Sequence, residues 1–497
     1  MEIKSENTFQ PFVKQNDRAN GIHRCTRLAT QAPGKGRPAA VKPFQVLTRP
    51  CVSRALLWLP ISMIFVWPSV SPAQSESGRT EPAVLQTEPA PNVLRLDDLL
   101  RALRTRNPAV LSAKAEWLAA RKRVWIDTAL PDPMAGYDLM GSMRETRVGP
   151  ETSRYMVSQD VPFPIKLIEK GRMARKEAEA AYARFRAVEQ DQAEELTKFY
   201  YKLYALDASI EVIEEVKAIL KKFEAASEAR YANRTSGQRD VAKAQAEVSM
   251  SLEKLFMLQQ ERQSTASMIQ ALIDQDPLLP IGKVERPAIP GLQMTLVDLL
   301  NLAVENRQEV KEREALVAKS EHAKKLAKLS FVPDLTVGFE YTGVGAGTTD
   351  MGPDMDGRDS WMIPLRINLP LWGQRIVPEI QEAQKMIEAN QAKLAEAKNT
   401  TFYEVKDAFY RFDTASKLVE LYETSILPQA ELALRADQAG YESGNAGFLE
   451  LLDSERVYLN AKLSHIRLLT EALQSYAELR RAAGLDLEKE TPKEASA

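Results

Sequence analysis

The chain has 497 residues, of which 44% are hydrophobic and 27% are charged, and its formal net charge at pH 7 is −2. A mean hydropathy of −0.32 excludes a bundle of transmembrane helices, and the near-neutral charge offers no basic face for nucleic acid. With 3 histidines and 2 cysteines, a dedicated Cys/His metal cage is excluded as well. We therefore expect no metal site and no cofactor.

The first segment of the chain, residues 1–73, is predicted to be an upstream extension followed by a signal peptide. Ala55–Val70 is one apolar run, shorter than the roughly 20 residues of a membrane-spanning helix but suited to the core of a signal peptide. Arg54 gives it a positive flank, and Ser71–Ala73 is a small-x-small cleavage site. The alternative is a membrane anchor, which the prolines in this run disfavour. A linker is predicted over 74–93.

The rest of the chain repeats one pattern. The Leu-rich segment that begins at Leu94 recurs at Met294, and later segments recur in the same order. We predict a first structural repeat over 94–285, a second over 286–485 and a tail over 486–497, each repeat containing a helix, two strands and a helical hairpin. The paired segments are LRLDDLLRALRTRNPAV with MTLVDLLNLAVENRQEV, LPDPMAGYDLMGS with VPDLTVGFEYTGV, and RYANRTSGQRDV with GYESGNAGFLEL.

Long helical hairpins are predicted from apolar residues at alternating spacings of three and four, which is the pattern of a coiled-coil seam. The stretch from Ile165 to Arg230 would be about 100 Å long as one helix, so we expect an elongated molecule. Pro428 is the main interruption of the helical pattern. The two seam series are Leu203, Leu206, Ile210, Ile213, Val216, Leu220 and Phe223, and Leu452, Leu459, Leu463, Ile466, Leu473 and Tyr476.

The strand segments follow a period of two. Apolar residues alternate with polar ones from Leu335 to Tyr341, from Trp361 to Leu369 and from Tyr155 to Phe163. Segments of about nine to eleven residues have the length of a tilted strand that crosses a bilayer. The alternative is a sheet packed against a protein core, but helical rods offer no broad layer to cover that face.

Four strands in one chain are too few to close a barrel, which needs about eight. An open sheet in lipid would leave backbone groups without hydrogen bonds. Several copies must therefore share one barrel, and three copies would give twelve strands. The periodicity predicts an oligomeric conduit through an outer membrane.

These features resemble the TolC family of outer-membrane efflux proteins. The resemblance covers Leu94 to Leu485 and includes the segment ILPQAELALRADQAGYESG. It implies a mainly α fold with a small β part, in which long coiled-coil helical hairpins and four transmembrane β-strands per protomer form, as a homotrimer, a twelve-stranded β-barrel on an α-helical barrel. It also implies an outer-membrane protein whose helical part lies in the periplasm, that contacts a periplasmic adaptor and an inner-membrane pump, and that exports substrate without enzymatic chemistry.

The segments DPMAGYDLM and SQDVPFPIKLIEKGRMA are similar to the heavy-metal branch of that family, the CusC- and CzcC-like channels. Ile165 departs from that branch, where a glycine is expected. The similarity to the heavy-metal branch makes metal cations the first choice of cargo. Multidrug export and protein secretion are the alternatives. A periplasmic adaptor or a structural coiled-coil rod is the non-channel alternative, but it leaves the alternating strands unexplained.

A gate is expected at the tips of the helical hairpins. Glu450 and Asp453 are three residues apart on one helix face, and around a threefold axis they would form two rings of carboxylates that select cations. The alternative is that they are first-turn carboxylates favoured by the helix dipole. Asp240 and Lys243 stand at the equivalent positions of the first repeat. The resemblance implies that Tyr441 contacts Asp240 and helps to hold the gate closed, and Lys243 departs from the family by adding a cation.

The turns themselves are small and polar, which suits end-on contact with an adaptor. The loop from Gly343 to Asp359 is rich in Asp and Met, but it lacks the spacing of a Ca²⁺ loop and is predicted to be a hydrated extracellular loop. The expected docking residues are Asn233, Arg234, Thr235, Ser236, Gly237, Gly444, Asn445, Ala446 and Gly447.

Overall fold

The computed structural model describes residues 93–146, 148–234, 237–345 and 357–485. The predicted upstream extension and signal peptide, nearly all of the linker and the tail lie outside the described residues. The first half contains β1 (Val93–Leu94), α1 (Leu96–Arg106), α2 (Pro108–Thr128), β2 (Met134–Thr146), β3 (Gly149–Val161), α3 (Pro164–Ala232) and α4 (Gln238–Leu272).

The second half has the same order of helices and strands, so the chain is mainly α with a small β part, as predicted. Among the described residues, no helix is both long and apolar enough to cross a membrane. The second half contains β4 (Lys283–Val284), α5 (Leu296–Asn306), α6 (Gln308–Lys328), β5 (Leu335–Val344), β6 (Ser360–Met362), β7 (Leu365–Ile367), α7 (Gly373–Leu421), α8 (Leu427–Ser443) and α9 (Phe448–Ala482).

The long helix predicted from Ile165 to Arg230 is present as α3, an unbroken helix of 69 residues. Pro164 opens it at a position where a proline needs no N–H partner. Six of the seven predicted seam residues are buried, and Ile210 packs against the same core. The three-four spacing therefore identified the packed face of α3 correctly.

The second half achieves the same length with a local defect. A π-helical turn, Tyr422–Ile426, joins α7 to α8 just ahead of Pro428. Proline has no N–H to donate to the preceding turn and its ring crowds that turn, and one π-turn accommodates it without ending the rod. Pro428 thus interrupts the helix locally, as the sequence indicates.

Five strands form one antiparallel sheet in the order β2, β3, β5, with β6 and β7 end to end along the other edge of β5. An aromatic row crosses it, because Tyr137 lies opposite Tyr155, Tyr155 opposite Tyr341, and Tyr341 opposite Trp361. These four side chains are all exposed. Within the described residues neither the free edge of β2 nor that of β6 and β7 has a partner strand.

The fourth strand differs from the prediction of one continuous segment from Trp361 to Leu369. It is split into β6 and β7 at Ile363–Pro364, because Pro364 has no N–H for the ladder. The carbonyl of Pro364 still accepts a hydrogen bond of 2.9 Å from the Gly338 N–H. A β-carbon at Gly338 would lie 3.0 Å from the Pro364 ring, so glycine allows this close approach.

The two faces of the sheet are opposite in character. One face carries exposed apolar side chains, while the other buries polar ones, including Glu340 at 7% exposure. The Arg154 Nε lies 3.0 Å from a Glu340 carboxylate oxygen, and the Thr336 hydroxyl donates to Asp160 at 2.6 Å. The alternation predicted from sequence is therefore present, with its apolar side outward.

The helices pack around cores of buried apolar side chains. One core surrounds Leu196, Leu203 and Leu473, and a second extends toward the hairpin tips through Leu220 and Leu451. The short parallel pair of β1 and β4 joins the beginning of the first half to the beginning of the second. The sequence analysis did not predict this pair, because two residues per strand give no readable period.

Candidate functional site at the hairpin tips

Each hairpin ends in a turn, and most of the turn residues that the structure describes are exposed. The first tip, residues 233–237, joins α3 to α4, and the second tip, residues 444–447, joins α8 to α9. Gly444 ends α8 with a φ of 84°, a left-handed conformation that glycine adopts without a steric penalty. Of the predicted docking residues, Thr235 and Ser236 lie outside the described residues, and the others form these two turns.

Tyr441 connects the second tip to the first. Its side chain is only 4% exposed, and its hydroxyl lies 3.4 Å from the Ser227 hydroxyl on α3. The Arg230 guanidinium donates a hydrogen bond of 2.7 Å to the Tyr441 carbonyl and lies 4.6 Å from the centroid of its ring. Phe448, at the start of α9, packs against the same ring at 5.7 Å. Tyr441 therefore holds α8 against α3.

The contact predicted between Tyr441 and Asp240 is not among the hydrogen bonds of the described residues. Asp240 lies in the first turn of α4, half-buried. The polar partners of Tyr441 come instead from α3, through Ser227 and Arg230. The sequence analysis did not single out Arg230, because its role depends on α3 and α8 lying side by side, and no spacing within one helix reveals that.

Glu450, Asp453 and Lys243 line one open groove between α4 and α9, together with Glu247 and Arg456. The structure thus brings together three of the predicted gate residues. Arg456 forms an ion pair with Glu247 across the groove. No ion pair joins Lys243 to Glu450 or Asp453 in the described part of the chain.

Glu450 has a second role. One of its carboxylate oxygens accepts a hydrogen bond of 3.0 Å from the Gly447 N–H, which satisfies a donor at the start of α9. Asp453 is exposed and makes no such bond within the described ranges. Glu450 therefore acts as a capping residue at the start of α9, which agrees with the helix-terminus alternative.

The described ranges contain no group of three His, Cys, Asp or Glu side chains arranged to hold a metal ion. Residues 346–356 of the Asp- and Met-rich loop are not described. The groove at the tips carries the carboxylates of Glu247, Glu450 and Asp453, which can attract cations by charge.

Comparison with known proteins assigns the chain to a family. The family model described as outer membrane efflux protein matches residues 99–274 and 299–485. Over 449 residues the chain is 22% identical to the cobalt-zinc-cadmium resistance protein CzcC of Cupriavidus metallidurans, an alignment that covers 87% of this chain and 99% of that protein.

Solved structures share the fold. The outer membrane protein VceC of Vibrio cholerae matches with a TM-score of 0.66 at 20% identity, covering 79% of this chain and 97% of its own. The channel protein CusC matches with a TM-score of 0.68 at 16% identity, covering 79% of this chain and 92% of its own. The chain therefore belongs to the outer membrane efflux protein family, with its sheet in the outer membrane and its helical hairpins in the periplasm.

Proposed function

We propose that this chain is the outer-membrane channel of a tripartite efflux system, a passive homotrimeric conduit that works with a periplasmic adaptor and an inner-membrane pump. The observation that carries the proposal is the open sheet. In the part of the chain that the structure describes, both edges of this sheet lack a partner strand, and its outer face is apolar. Hydrocarbon tolerates such a sheet only when its edges are paired, and sister copies supply the pairs.

Trimer formation is supported by the outer side of α2. Leu111, Leu118 and Trp125 are spaced by seven residues and are all exposed. Apolar residues at this spacing form the contact seam between helices. We propose that a helix of a neighbouring copy covers this stripe.

Gating is proposed at the tips. Arg230 and Ser227 on α3 hold Tyr441 on α8, so movement of one hairpin relative to the other must break these contacts. Glu450 and Asp453 would form the carboxylate rings at the aperture, and Lys243 in the same groove would weaken their negative field. Asp240 is proposed to belong to the same aperture. The turns Asn233–Gly237 and Gly444–Gly447 are proposed to form the surface that meets the adaptor.

Heavy-metal cations are the proposed cargo. Support comes from the similarity to CzcC, which extends over nearly the whole length of both proteins. Acidic side chains near an aperture raise the local concentration of cations, and this is consistent with such a cargo.

A deletion strain tests the proposal. We expect the loss of the gene to increase sensitivity to cobalt, zinc, cadmium, copper or silver salts, and the wild-type gene to restore resistance. Sensitivity only to organic toxicants would support the multidrug alternative and contradict the metal cargo. A purified chain that forms no conducting pore in planar bilayers would contradict the channel itself.

A further inference from the structure

Glu455 occupies an unusual place for a carboxylate. It lies on α9 in the three-four series of Leu452, Leu459 and Ile466, that is, in the seam of the helical hairpin, and its side chain is 1% exposed. The neighbouring seam residues Leu452 and Leu459 belong to the apolar core that reaches the tips. An ionised group here has lost its water, which is costly unless a partner replaces it.

No such partner is found for one of its oxygens. Glu455 Oε1 is buried and has no hydrogen bond within the described residues. Lys462, another charged residue of the same series, is treated differently: it lies 2.7 Å from a Glu215 carboxylate oxygen and 4.7 Å from the centroid of the Tyr458 ring. In this seam Lys462 therefore has an ionic partner, whereas one carboxylate oxygen of Glu455 has no hydrogen bond among the described residues.

Burial is the main reason that Glu455 favours its neutral form. Burial raises the pKa of Glu455 to about 7, and the nearby carboxylate of Glu247 on α4 adds to the increase, while Lys254 and Arg456 oppose it. Arg456 is itself paired with Glu247. On two other helices that pack in this region, Glu215 of α3 is paired with Lys462, and Glu431 of α8 is paired with Arg435.

We propose that Glu455 is a proton-sensitive element of the gate: its protonated carboxyl keeps α9 packed in the seam, and loss of that proton to water loosens α9 next to the tip. This inference rests on the proposed gate. Glu455 lies five residues from Glu450, less than about 8 Å along the helix, so movement of α9 at Glu455 also moves the groove that holds Glu450 and Asp453.

The direction of the pH effect follows from linkage. In an open seam the carboxyl reaches water and has its ordinary pKa of 4.5, whereas in the packed seam the pKa is about 7. The packed state binds the proton more tightly, so acid favours packing and the open-to-closed ratio increases with pH between these values. From pH 6 to pH 8 the ratio is expected to rise about tenfold.

Single-channel recording of the full mature chain in planar bilayers at pH 6 and pH 8 tests the inference. Exposed carboxylates stay ionised over this range, so they do not contribute. We expect a rise of about tenfold in the open-to-closed ratio of the wild type and no change in Glu455→Gln or Glu455→Leu, which stay neutral. Glu471→Gln, the same change at an exposed site on α9, should behave like the wild type.

The outcomes distinguish a failure of the proposed channel from a failure of the role assigned to Glu455. If the wild type forms no pore, the channel proposal fails. If the wild type conducts but Glu455→Gln keeps the same pH response, the role assigned to Glu455 is wrong while the channel stands. Both cysteines, Cys25 and Cys51, lie ahead of the predicted cleavage site, so a spin label at Val457→Cys, an exposed position on α9, gives a second readout. The distance between copies should widen from pH 6 to pH 8, and Glu455→Gln should abolish that change.

Discussion

The sheet and the helical hairpins bury opposite kinds of side chain. In the hairpins, the enclosed side chains are mostly apolar, such as Leu203 and Leu473, and most charged residues lie outside. In the sheet, Leu139 and Trp361 are exposed, whereas Glu340 and Thr342 are buried. Both regions are built from regular periodic patterns, so the period alone does not determine which face is hidden.

The difference shows that the solvent around each region determines whether its apolar face or its polar face is buried. A helix in water gains free energy by enclosing its apolar stripe. A strand in lipid leaves its apolar face outward and turns its polar face toward the lumen. A chain that shows both patterns is divided between two solvents: its sheet lies in lipid and its hairpins lie in water.

The largest effect is expected from the same truncation made in the two regions. Leu203→Ala removes a side chain that is 0% exposed and should lower the free energy of unfolding by about 2–5 kcal/mol. Leu139→Ala removes one that is 75% exposed and should change it little. Denaturant unfolding in detergent provides the measurement, and equal losses at the two sites would contradict the division.

A charge on the apolar face of the sheet should affect insertion. Leu365→Arg should disfavour insertion of the sheet by about 2–4 kcal/mol if its side chain is near the bilayer midplane. The expected result is a smaller fraction of chain in outer-membrane preparations. Leu278→Arg is the matched control, because Leu278 is 89% exposed in the loop between α4 and β4. Full insertion of Leu365→Arg would show that this face does not contact lipid.

A charge network between the repeats should give the hairpin region a dependence on acid. Arg481 contacts Asp191, Glu309 and Glu404, and Arg307 contacts Glu309 and Glu404. Burial alone would raise the pKa of Glu309, but the hydrogen bond from Arg307 and the charges of Arg307 and Arg481 lower it below its ordinary 4.5. A lowered pKa stabilises the fold above pH 4.5, and this contribution is lost as the pH falls through the lowered value.

Replacing the central cation tests this dependence. Arg481→Met should lower the free energy of unfolding at pH 7 by about 1–3 kcal/mol and reduce the loss of stability between pH 5 and pH 3. Thermal unfolding across this range is the measurement. Arg435→Met removes an exposed pair with Glu431 and should have almost no effect. An unaltered pH profile in Arg481→Met would mean that the network does not govern acid stability.

The smallest effect is expected at the tip. Arg230→Ala removes one charge-assisted hydrogen bond and one cation–π contact with Tyr441, worth about 1 kcal/mol together after solvent competition. The open-to-closed ratio in bilayers should rise about fivefold. Arg239→Ala, at an exposed position on the same tip, is the control. Identical behaviour of both variants would remove Arg230 from the proposed gate.

Much of the fold was readable because its elements are long and periodic. The seam from Leu203 to Phe223 identified α3, and the alternation from Leu335 to Tyr341 identified β5. The split at Pro364 was also available in principle, since a proline cannot donate to a ladder. The β1–β4 pair was not, because its strands are too short to show a period.

The site was less predictable than the fold. Glu450, Asp453 and Lys243 were placed at one level by aligning the repeats, and they do line one groove. Arg230 gave no sequence signal, since its contact with Tyr441 joins residues 211 positions apart. Glu455 did give one: it is a glutamate within an apolar three-four series, and its burial could have been expected from that position alone.

The mass of the purified mature chain, extracted with detergent and measured by native mass spectrometry, tests the central claim most directly. We expect three chains in one detergent-dependent particle, because sister copies must pair the free edges of β2 and of β6 and β7. A single chain that stays monodisperse in water without detergent would contradict the assignment of the apolar face to lipid and of the open edges to neighbouring copies.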